Sequence, residues 1–281
     1  MKKSAKGSFV AAPHLVWCVL FIIAPLLFVI YYSFTDSEGA FTLDNILALP
    51  EYGDIFLTSI EMSIIATFLC FLVGYPLAYF ISRSSERQKK VYMILLMLPM
   101  WTNLLIRTYS MMAILDDGGF LNSILTALDL TPVHIVGTKG AVIFGMVYDF
   151  FPYMVLPIYT AITKIDHRLI EAAADLGCNS AQTMLRVILP LSRSGIVSGI
   201  TMVFVPSIST FYISQKLGGG TFELIGDTIE RQFQSYSTYN IGAAISLVMM
   251  ILILISLAVM NRFSDEDAGS AGAARIAGTG K

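Results

Sequence analysis

Apolar residues gather into six stretches along the chain, each long enough to cross a lipid bilayer and separated from the next by a polar segment. The hydrocarbon core of a bilayer is about 30 Å thick, and an α-helix of roughly 20 residues spans it. Because the backbone finds no water in that core, such stretches are expected to be helices. The sequence therefore predicts an all-α, polytopic membrane protein. Its six predicted transmembrane helices cover residues 15–34, 57–82, 91–115, 141–162, 196–213 and 241–260.

The same pattern predicts breaks and boundaries. Pro99 should break the third span, because proline removes a backbone hydrogen bond inside a helix. Two shorter helices are expected outside the spans, at 120–128 and 224–233. The first span is longer than the apolar core of a cleaved signal peptide, so we interpret it as a permanent span. Residues 1–263 are predicted to form one transmembrane domain, followed by a disordered tail, 264–281.

Composition agrees with a membrane protein. Hydrophobic residues make up 56% of the chain and charged residues 14%, against about 25% charged in a typical soluble domain. The net charge of −2 gives no bulk attraction to nucleic acid, and no nucleic-acid partner is expected. Cys18, Cys70 and Cys178 lie far apart, so neither a disulfide framework nor a metal site is predicted.

Most of the 18 lysines and arginines fall in segments that alternate on one side of the predicted spans. These segments are the first few residues, 83–90, 164–193 and the tail. Positively charged loops usually lie on the cytoplasmic side of a membrane. Both termini and the segment 164–193 are therefore predicted to be cytoplasmic.

The segment 164–193, which we call the coupling stretch, is predicted to form two short helices joined at Gly177. Apolar residues between 165 and 176 recur at helical spacing, and Asp166 can cap the first helix. Asn179 and Gln182 have the spacing of a capping box for the second helix. The apolar face of such helices needs a partner. It could lie on the bilayer surface, or it could dock into a groove of another protein.

The residues of the coupling stretch resemble the cytoplasmic coupling loop of permease subunits of ABC-type importers. The resemblance depends on an acid, two alanines, a glycine and a late Ile-Leu-Pro sequence. The residues that the resemblance assigns to contact with the ATPase are Glu171, Ala172, Ala173, Gly177, Leu189 and Pro190. Ala174 and Cys178 depart from the residues common in that loop.

Further segments resemble the polyamine (spermidine/putrescine) branch of these permeases, and most closely its B-type permease subunit. The matching segments are 74–79, 98–109, 152–159, 211–214 and 224–226. The family implies a type I importer permease fold in a bacterial inner membrane. It also implies a second permease as heterodimer partner, two ATPase subunits that bind ATP and Mg²⁺, and an external substrate-binding protein. This chain itself would hold no cofactor and have no enzymatic activity.

A polyamine pathway needs carboxylates and aromatic faces, because the substrate is a flexible chain of ammonium groups. Asp149, near the middle of the fourth span, is the first candidate, since ionisable residues inside spans usually have a function. Asp149 could instead be tied to a hydroxyl or amide of a neighbouring helix. The other candidates are Tyr148, Trp101, Asn103, Tyr109, Tyr212 and Glu61.

Two charged positions complicate this assignment. Glu61 and Arg107 should both lie in the outer part of the membrane, where they could form a structural ion pair or contact substrate separately. Lys216 stands where relatives commonly carry an acidic residue, which places a cation near the outer mouth.

The sequence disfavours two other function classes. A stand-alone secondary transporter usually shows inverted repeats, and none is evident in this sequence. A membrane enzyme is disfavoured because no H-E-x-x-H or G-x-S-x-G motif is present, and no Walker loop for ATP exists. A permease for another small solute remains an alternative to the polyamine function.

Overall fold

The computed structural model describes residues 13–278, with side chains for residues 13–260 and Arg262. Helices dominate, and no extended strand occurs in that range. The helices of the first half are α1 (Pro13–Ser33), α2 (Gly53–Arg83), α3 (Glu86–Trp101), α4 (Leu104–Leu115), α5 (Phe120–Ala127) and α6 (Lys139–Thr163). The helices of the second half are α7 (His167–Asp175), α8 (Ser180–Leu191), α9 (Arg193–Ile208), α10 (Tyr212–Leu217), α11 (Ile225–Gln234) and α12 (Tyr239–Gly278).

Four helical stretches of the described chain are long and apolar enough to cross a membrane. They are α1, Asp44–Arg83, α6 and Tyr236–Met260. Two further spans follow if each of two sharply bent helix pairs is counted as one span. This range of four to six spans contains the six that the sequence predicts, and the all-helical fold class is confirmed.

The third predicted span is the one that departs most from expectation. It is divided into α3 and α4, and the bend between α3 and the segment Leu104–Ala127, which holds α4 and α5, is 94°. The break lies at Thr102 and Asn103 rather than at Pro99, which remains inside the last turn of α3. Asn103 caps α4, because its side-chain oxygen accepts a hydrogen bond of 2.8 Å from the Leu105 amide.

The fifth predicted span ends earlier than expected. Helix α9 stops at Ile208, and α10 begins only at Tyr212, so the chain is not one continuous helix over 196–213. At the other end, α8 and α9 are bent by 69° around Ser192. Backbone breaks at membrane depth are tolerated only where protein or a water-filled cavity surrounds them. Both broken spans are therefore expected to face protein or water and not lipid.

The tail also differs from its prediction. Helix α12 continues to Gly278, whereas disorder is predicted from Ser264 onward, and residues 279–281 lie outside the described range. Contacts divide the chain into two compact units, although one domain is predicted. The first unit holds the residues through Asp54 and Thr228–Ile253, and the second holds Ile55–Asp227 and the residues from Leu254.

In the first unit, α1 is tied to the start of α12. The Asn240 amide donates to the backbone oxygens of Thr35 at 2.5 Å and Tyr32 at 3.2 Å. The rings of Tyr32 and Tyr239 meet edge to face with centroids 5.0 Å apart. Outside this anchored end, the side chains of α1 are largely exposed.

In the second unit, α6 and α9 pack together extensively along their described lengths. Glycines allow the close approach: a Cβ built on Gly195 would lie 2.5 Å from the Ala161 Cβ and 2.6 Å from the Pro157 oxygen. Helix pairs in membranes commonly use small residues in this way, because no hydrophobic effect drives them together. A second contact of the same kind joins Gly199 to Met154.

A row of buried hydroxyls runs along one side of α2. Ser59, Ser63 and Thr67 each donate to the backbone oxygen four residues earlier, over 2.7–2.8 Å. The Ser59 oxygen also accepts a hydrogen bond of 2.8 Å from the Ile225 amide, at the start of α11. The hydroxyls of this row are therefore all hydrogen-bonded, and the row holds the start of α11, which follows the three glycines at 218–220.

Candidate functional site

The coupling stretch folds as the helix-turn-helix that the sequence predicts. The Asp166 carboxylate caps α7 by accepting from the Arg168 amide at 3.0 Å. Asn179 and Gln182 form the predicted capping box of α8, with hydrogen bonds of 2.8 and 3.0 Å. The local sequence alone therefore specifies both helix starts.

Gly177 ends α7 in a Schellman motif. Its φ angle is +82°, a conformation that suits glycine. The amides of Gly177 and Cys178 donate to the oxygens of Ala174 and Ala173, at 2.9 and 3.0 Å. No atom lies within 4 Å of a Cβ built on Gly177, so conformation and not space requires a glycine at this position.

The two alanines of the coupling stretch lie in different environments. Ala172 is exposed, whereas Ala173 is buried against the rest of its own chain. We expect both to approach a partner, but only Ala172 presents its side chain to one. The largest apolar surface beside it is Leu176, whose side chain is 85% exposed. Leu176 was not among the predicted contact residues, and its exposure is visible only in the folded loop.

Hydrogen bonds attach the coupling stretch to the spans. The Tyr75 hydroxyl of α2 lies 3.0 Å from the Ser192 hydroxyl at the α8–α9 bend, and both residues are buried. At the other end of the stretch, His167 lies 3.2 Å from the Arg83 guanidinium and 3.1 Å from the Glu171 carboxylate. Glu171 is therefore linked through His167 to the end of α2.

The late Ile-Leu-Pro sequence is buried at its first residue and exposed at its last. Ile188 is buried among the apolar side chains of the second unit, and Leu189 packs against the same cluster. Pro190 is exposed near the end of α8. This arrangement fixes the direction in which α8 enters the bend at Ser192.

Asp149 forms a buried ion pair with Arg107. The Arg107 Nε contacts the Asp149 Oδ1, and the side chains are 12% and 1% exposed. The contact lacks hydrogen-bond geometry, and the Asp149 Oδ2 has no hydrogen-bonding partner in the described chain. Arg107 also donates from Nη1 to the Pro99 oxygen at 2.7 Å. One guanidinium thus joins α6 to both sides of the α3–α4 break.

This pairing corrects the partner predicted for Arg107. Glu61 is not its partner: the Glu61 carboxylate lies 3.8 Å from the Lys139 ammonium, and both side chains are more than half exposed. The partner of Asp149 is also a guanidinium and not the hydroxyl or amide that the alternative interpretation supposed. The sequence shows that these charges lie in apolar surroundings, but several pairings are compatible with their positions.

Arg107 and Tyr148 line a cleft beside the ion pair. Its volume is about 390 Å³. The Arg107 guanidinium carbon lies 5.9 Å from the centre of the Tyr148 ring. Asp149 itself does not line this cleft. Its charge is already balanced by Arg107, so a cationic substrate could reach it only if the pair opened.

Trp101 and Asn103 flank the α3–α4 break. The Trp101 side chain is 72% exposed, and Asn103 acts as the N-cap of α4. Thr102 between them donates its hydroxyl to the Pro99 oxygen at 2.7 Å. The role of Asn103 in capping explains its presence without a substrate, whereas the exposed Trp101 suits an interfacial aromatic belt as well as a substrate pathway.

Tyr109 and Tyr212 are brought together from α4 and α10. Their ring centroids are 6.2 Å apart and the rings meet nearly edge to face. The Lys216 ammonium lies 5.1 Å from the centre of the first ring and 5.8 Å from the second. These distances fall within the roughly 6 Å range of cation–π attraction.

The described residues contain no group of three or more histidine, cysteine or acidic side chains that could hold a metal ion. Two sets of side chains remain as functional candidates. One is the coupling stretch with its exposed Ala172 and Leu176, and the other is the group of charged and aromatic side chains near the helix breaks.

Removal of one partner of the buried pair should cost more stability than removal of both. Either Asp149→Asn or Arg107→Met leaves an uncompensated polar or charged group in the core, which typically costs about 3–5 kcal/mol. The double variant Arg107→Met/Asp149→Leu should unfold closer to the wild-type temperature. Thermal unfolding of the detergent-solubilised protein measures the three differences.

Lys139→Gln is the matched control, because it breaks the exposed pair with Glu61, and such pairs contribute about 0–1 kcal/mol. Wild-type stability in both single variants would contradict a structural role for the ion pair. Losses that simply add in the double variant would contradict the coupling between the two side chains.

Residues 71–266 match the family described as "Binding-protein-dependent transport system inner membrane component". The chain is 39% identical over 275 residues to "Spermidine/putrescine transport system permease protein PotB" of Salmonella typhimurium (strain SL1344), covering 94% of this chain and 96% of that protein. It is 40% identical over 258 residues to the protein of the same name from Escherichia coli (strain K12), covering 88% and 94%.

The fold is also similar to that of solved transporters. A bacterial ABC transporter involved in the import of the acidic polysaccharide alginate superimposes with a TM-score of 0.78 at 17% identity, covering 92% of this chain and 94% of that one. At this identity the similarity concerns the fold alone. The family match and the relatives cover most of the chain, so this protein belongs to the family of binding-protein-dependent transport system inner membrane components and is a permease subunit of an ABC importer.

Proposed function

We propose that this permease subunit forms part of the membrane pathway for a polyamine such as spermidine or putrescine. The observation that carries the proposal is the 39% identity, over 94% of this chain, to a relative named as a spermidine/putrescine permease. The paired tyrosines Tyr109 and Tyr212 support it, because aromatic faces attract ammonium groups. Trp101, Tyr148 and Glu61 are further pathway candidates. Asp149 contributes indirectly, because its ion pair holds Arg107 beside Tyr148.

The partners follow from the importer architecture. We infer a second permease beside this one, two ATPase subunits that bind ATP with Mg²⁺, and an external protein that delivers substrate. The exposed Ala172 of α7 and Leu176, which directly follows that helix, supply the surface on which an ATPase docks. Movement of that partner pushes on α7 and α8, and these are attached to the spans at Ser192 and through His167.

Uptake of labelled spermidine and putrescine tests the proposed substrate class. Cells or proteoliposomes that contain this chain, its second permease, the ATPase and the binding protein should accumulate the label in an ATP-dependent, saturable way. The control omits only the ATPase, and uptake should then fall to background. Accumulation that persists without the ATPase would indicate a secondary transporter, and absence of uptake with the full set would exclude polyamines as substrates.

The backbone of Gly177 generates a prediction about coupling to the ATPase. Gly177→Val should disrupt the turn between α7 and α8, because a positive φ costs non-glycine residues about 1–2 kcal/mol, and a β-branched residue more. Co-purification of the ATPase and substrate-stimulated ATP hydrolysis should both fall, by roughly tenfold for each 1.4 kcal/mol lost. Binding of substrate by the external protein should be unchanged, since that step does not involve the loop.

Gly177→Asn is the matched variant, because asparagine tolerates positive φ, and it should retain most of the coupling. Ala172→Trp separates docking from folding: the loop should remain folded, yet the exposed indole should hinder the ATPase. Ala173→Trp should instead disturb the loop itself, because that position is buried. Normal co-purification and normal stimulation in both Gly177→Val and Ala172→Trp would remove the assignment of this docking surface.

We further infer that both termini and the coupling stretch lie on the cytoplasmic side, from the distribution of lysine and arginine. In a variant whose three cysteines are replaced by alanine, Glu38→Cys should react with a membrane-impermeant maleimide added outside intact cells. Arg87→Cys should react only after the cells are opened. Labelling of position 87 in intact cells would reverse the proposed orientation.

A further inference from the structure

Lys216 has no carboxylate partner in the described chain, which is unusual for a half-buried cation in a membrane protein. Its ammonium instead lies over the rings of Tyr109 and Tyr212, at 5.1 and 5.8 Å from their centres. Two tyrosines that converge on one ammonium, with their rings and with the Tyr109 hydroxyl, form a small cation site. In this structure, the occupant of that site belongs to the protein itself.

The site lies on the two segments that follow broken helices. Tyr109 is on α4, after the 94° break, and Tyr212 and Lys216 are on α10, after the gap that ends α9. Helices α4 and α10 contact each other, and α10 is also packed against α6, where a Cβ on Gly145 would lie 2.5 Å from Leu217. Broken backbone at membrane depth borders protein or water rather than lipid.

The rings remain accessible on one side. Tyr109 is 47% exposed, whereas Tyr212 and Lys216 are partly buried. Lys216 reaches the rings through a flexible side chain of four methylene groups, so its ammonium can leave without movement of the backbone. A second ammonium that enters the site competes with Lys216 for the same two faces and is repelled by its charge.

We propose that Lys216 is a tethered competitor of the substrate: its ammonium occupies the Tyr109–Tyr212 cation site when the pathway is empty, and an ammonium group of the polyamine must displace it. This inference rests on the proposed function and adds a residue that lowers affinity. Weak binding suits a transport route, since a substrate has to leave each site that it enters. The lysine returns to the rings and thereby favours release.

Binding of tritiated spermidine to the purified assembly of both permeases and the ATPase, without the external binding protein, tests the inference. Lys216→Met removes the ammonium and keeps an unbranched apolar side chain. It should lower the Kd for spermidine by about three- to thirtyfold, the range expected when one cation–π contact becomes available. Lys216→Arg keeps a competing cation and should bind spermidine as the wild type does.

Two further variants isolate the cause. Lys90→Met removes a lysine that is exposed on α3 away from these rings and should leave the Kd unchanged. In Tyr109→Ala/Lys216→Met the gain should disappear, because one of the two faces is missing. A gain that survives this second change would contradict the cation site, and so would an equal gain in Lys90→Met.

The outcomes separate this inference from the proposed function. If the wild type transports spermidine but Lys216→Met binds it no more tightly, the tethered-competitor role is wrong and the polyamine function stands. If Lys216→Met no longer assembles with its partners, Lys216 is a structural residue and the inference is likewise wrong. If the wild-type importer transports neither spermidine nor putrescine, the proposed function itself fails.

Discussion

The buried contact between Arg107 and Asp149 is the constraint on which the second unit of the structure depends. A charge without a partner is costly in apolar surroundings, so the two side chains must remain together. Arg107 also binds the Pro99 oxygen across the α3–α4 break. The sharp turn of the third span and the position of α6 are therefore coupled through one side chain. The cleft beside Tyr148 and the Tyr109–Tyr212 site both depend on where this turn places α4.

The coupling stretch combines a shape that is specified locally with attachments that are made far along the chain. Helix caps and the turn at Gly177 specify its shape locally, whereas its attachment to the spans depends on residues far away in the sequence. Tyr75 holds the bend at Ser192, and Ile188 anchors α8 in the core. Since α6 and α9 are packed through glycines without space between them, a push on α8 cannot move α9 alone. We therefore expect the two helices to move as one body, as tightly packed elements do when they change between discrete states.

Much of this structure could be predicted from local sequence, and the limits have physical reasons. Span positions follow from hydrophobicity, and the caps at Asp166 and Asn179 follow from hydrogen bonding within a few residues. The 94° break could not be located, because Pro99 marks a weakened helix but the Asn103 cap decides where the next one starts. Ion-pair partners were also beyond prediction: Arg107 could pair with Glu61 or Asp149, and only the packing of α4 against α6 decides. The burial of Ala173 beside the exposed Ala172 likewise depends on how α7 is attached to the spans.

Met154 joins three helices in a way that limits how the sequence can change. A Cβ on Gly74 of α2 would lie 3.2 Å from its Cγ, and one on Gly199 of α9 would lie 2.9 Å from its sulfur. Methionine is unbranched and adaptable, so it fills the narrow space between the two glycines. A larger residue at position 74 would press on this side chain, whereas one at position 199 would also meet the Met154 backbone oxygen, 3.1 Å from its Cβ. Three positions that lie far apart in the sequence thus limit one another's size, so the effect of a substitution at one of them depends on the residues at the other two.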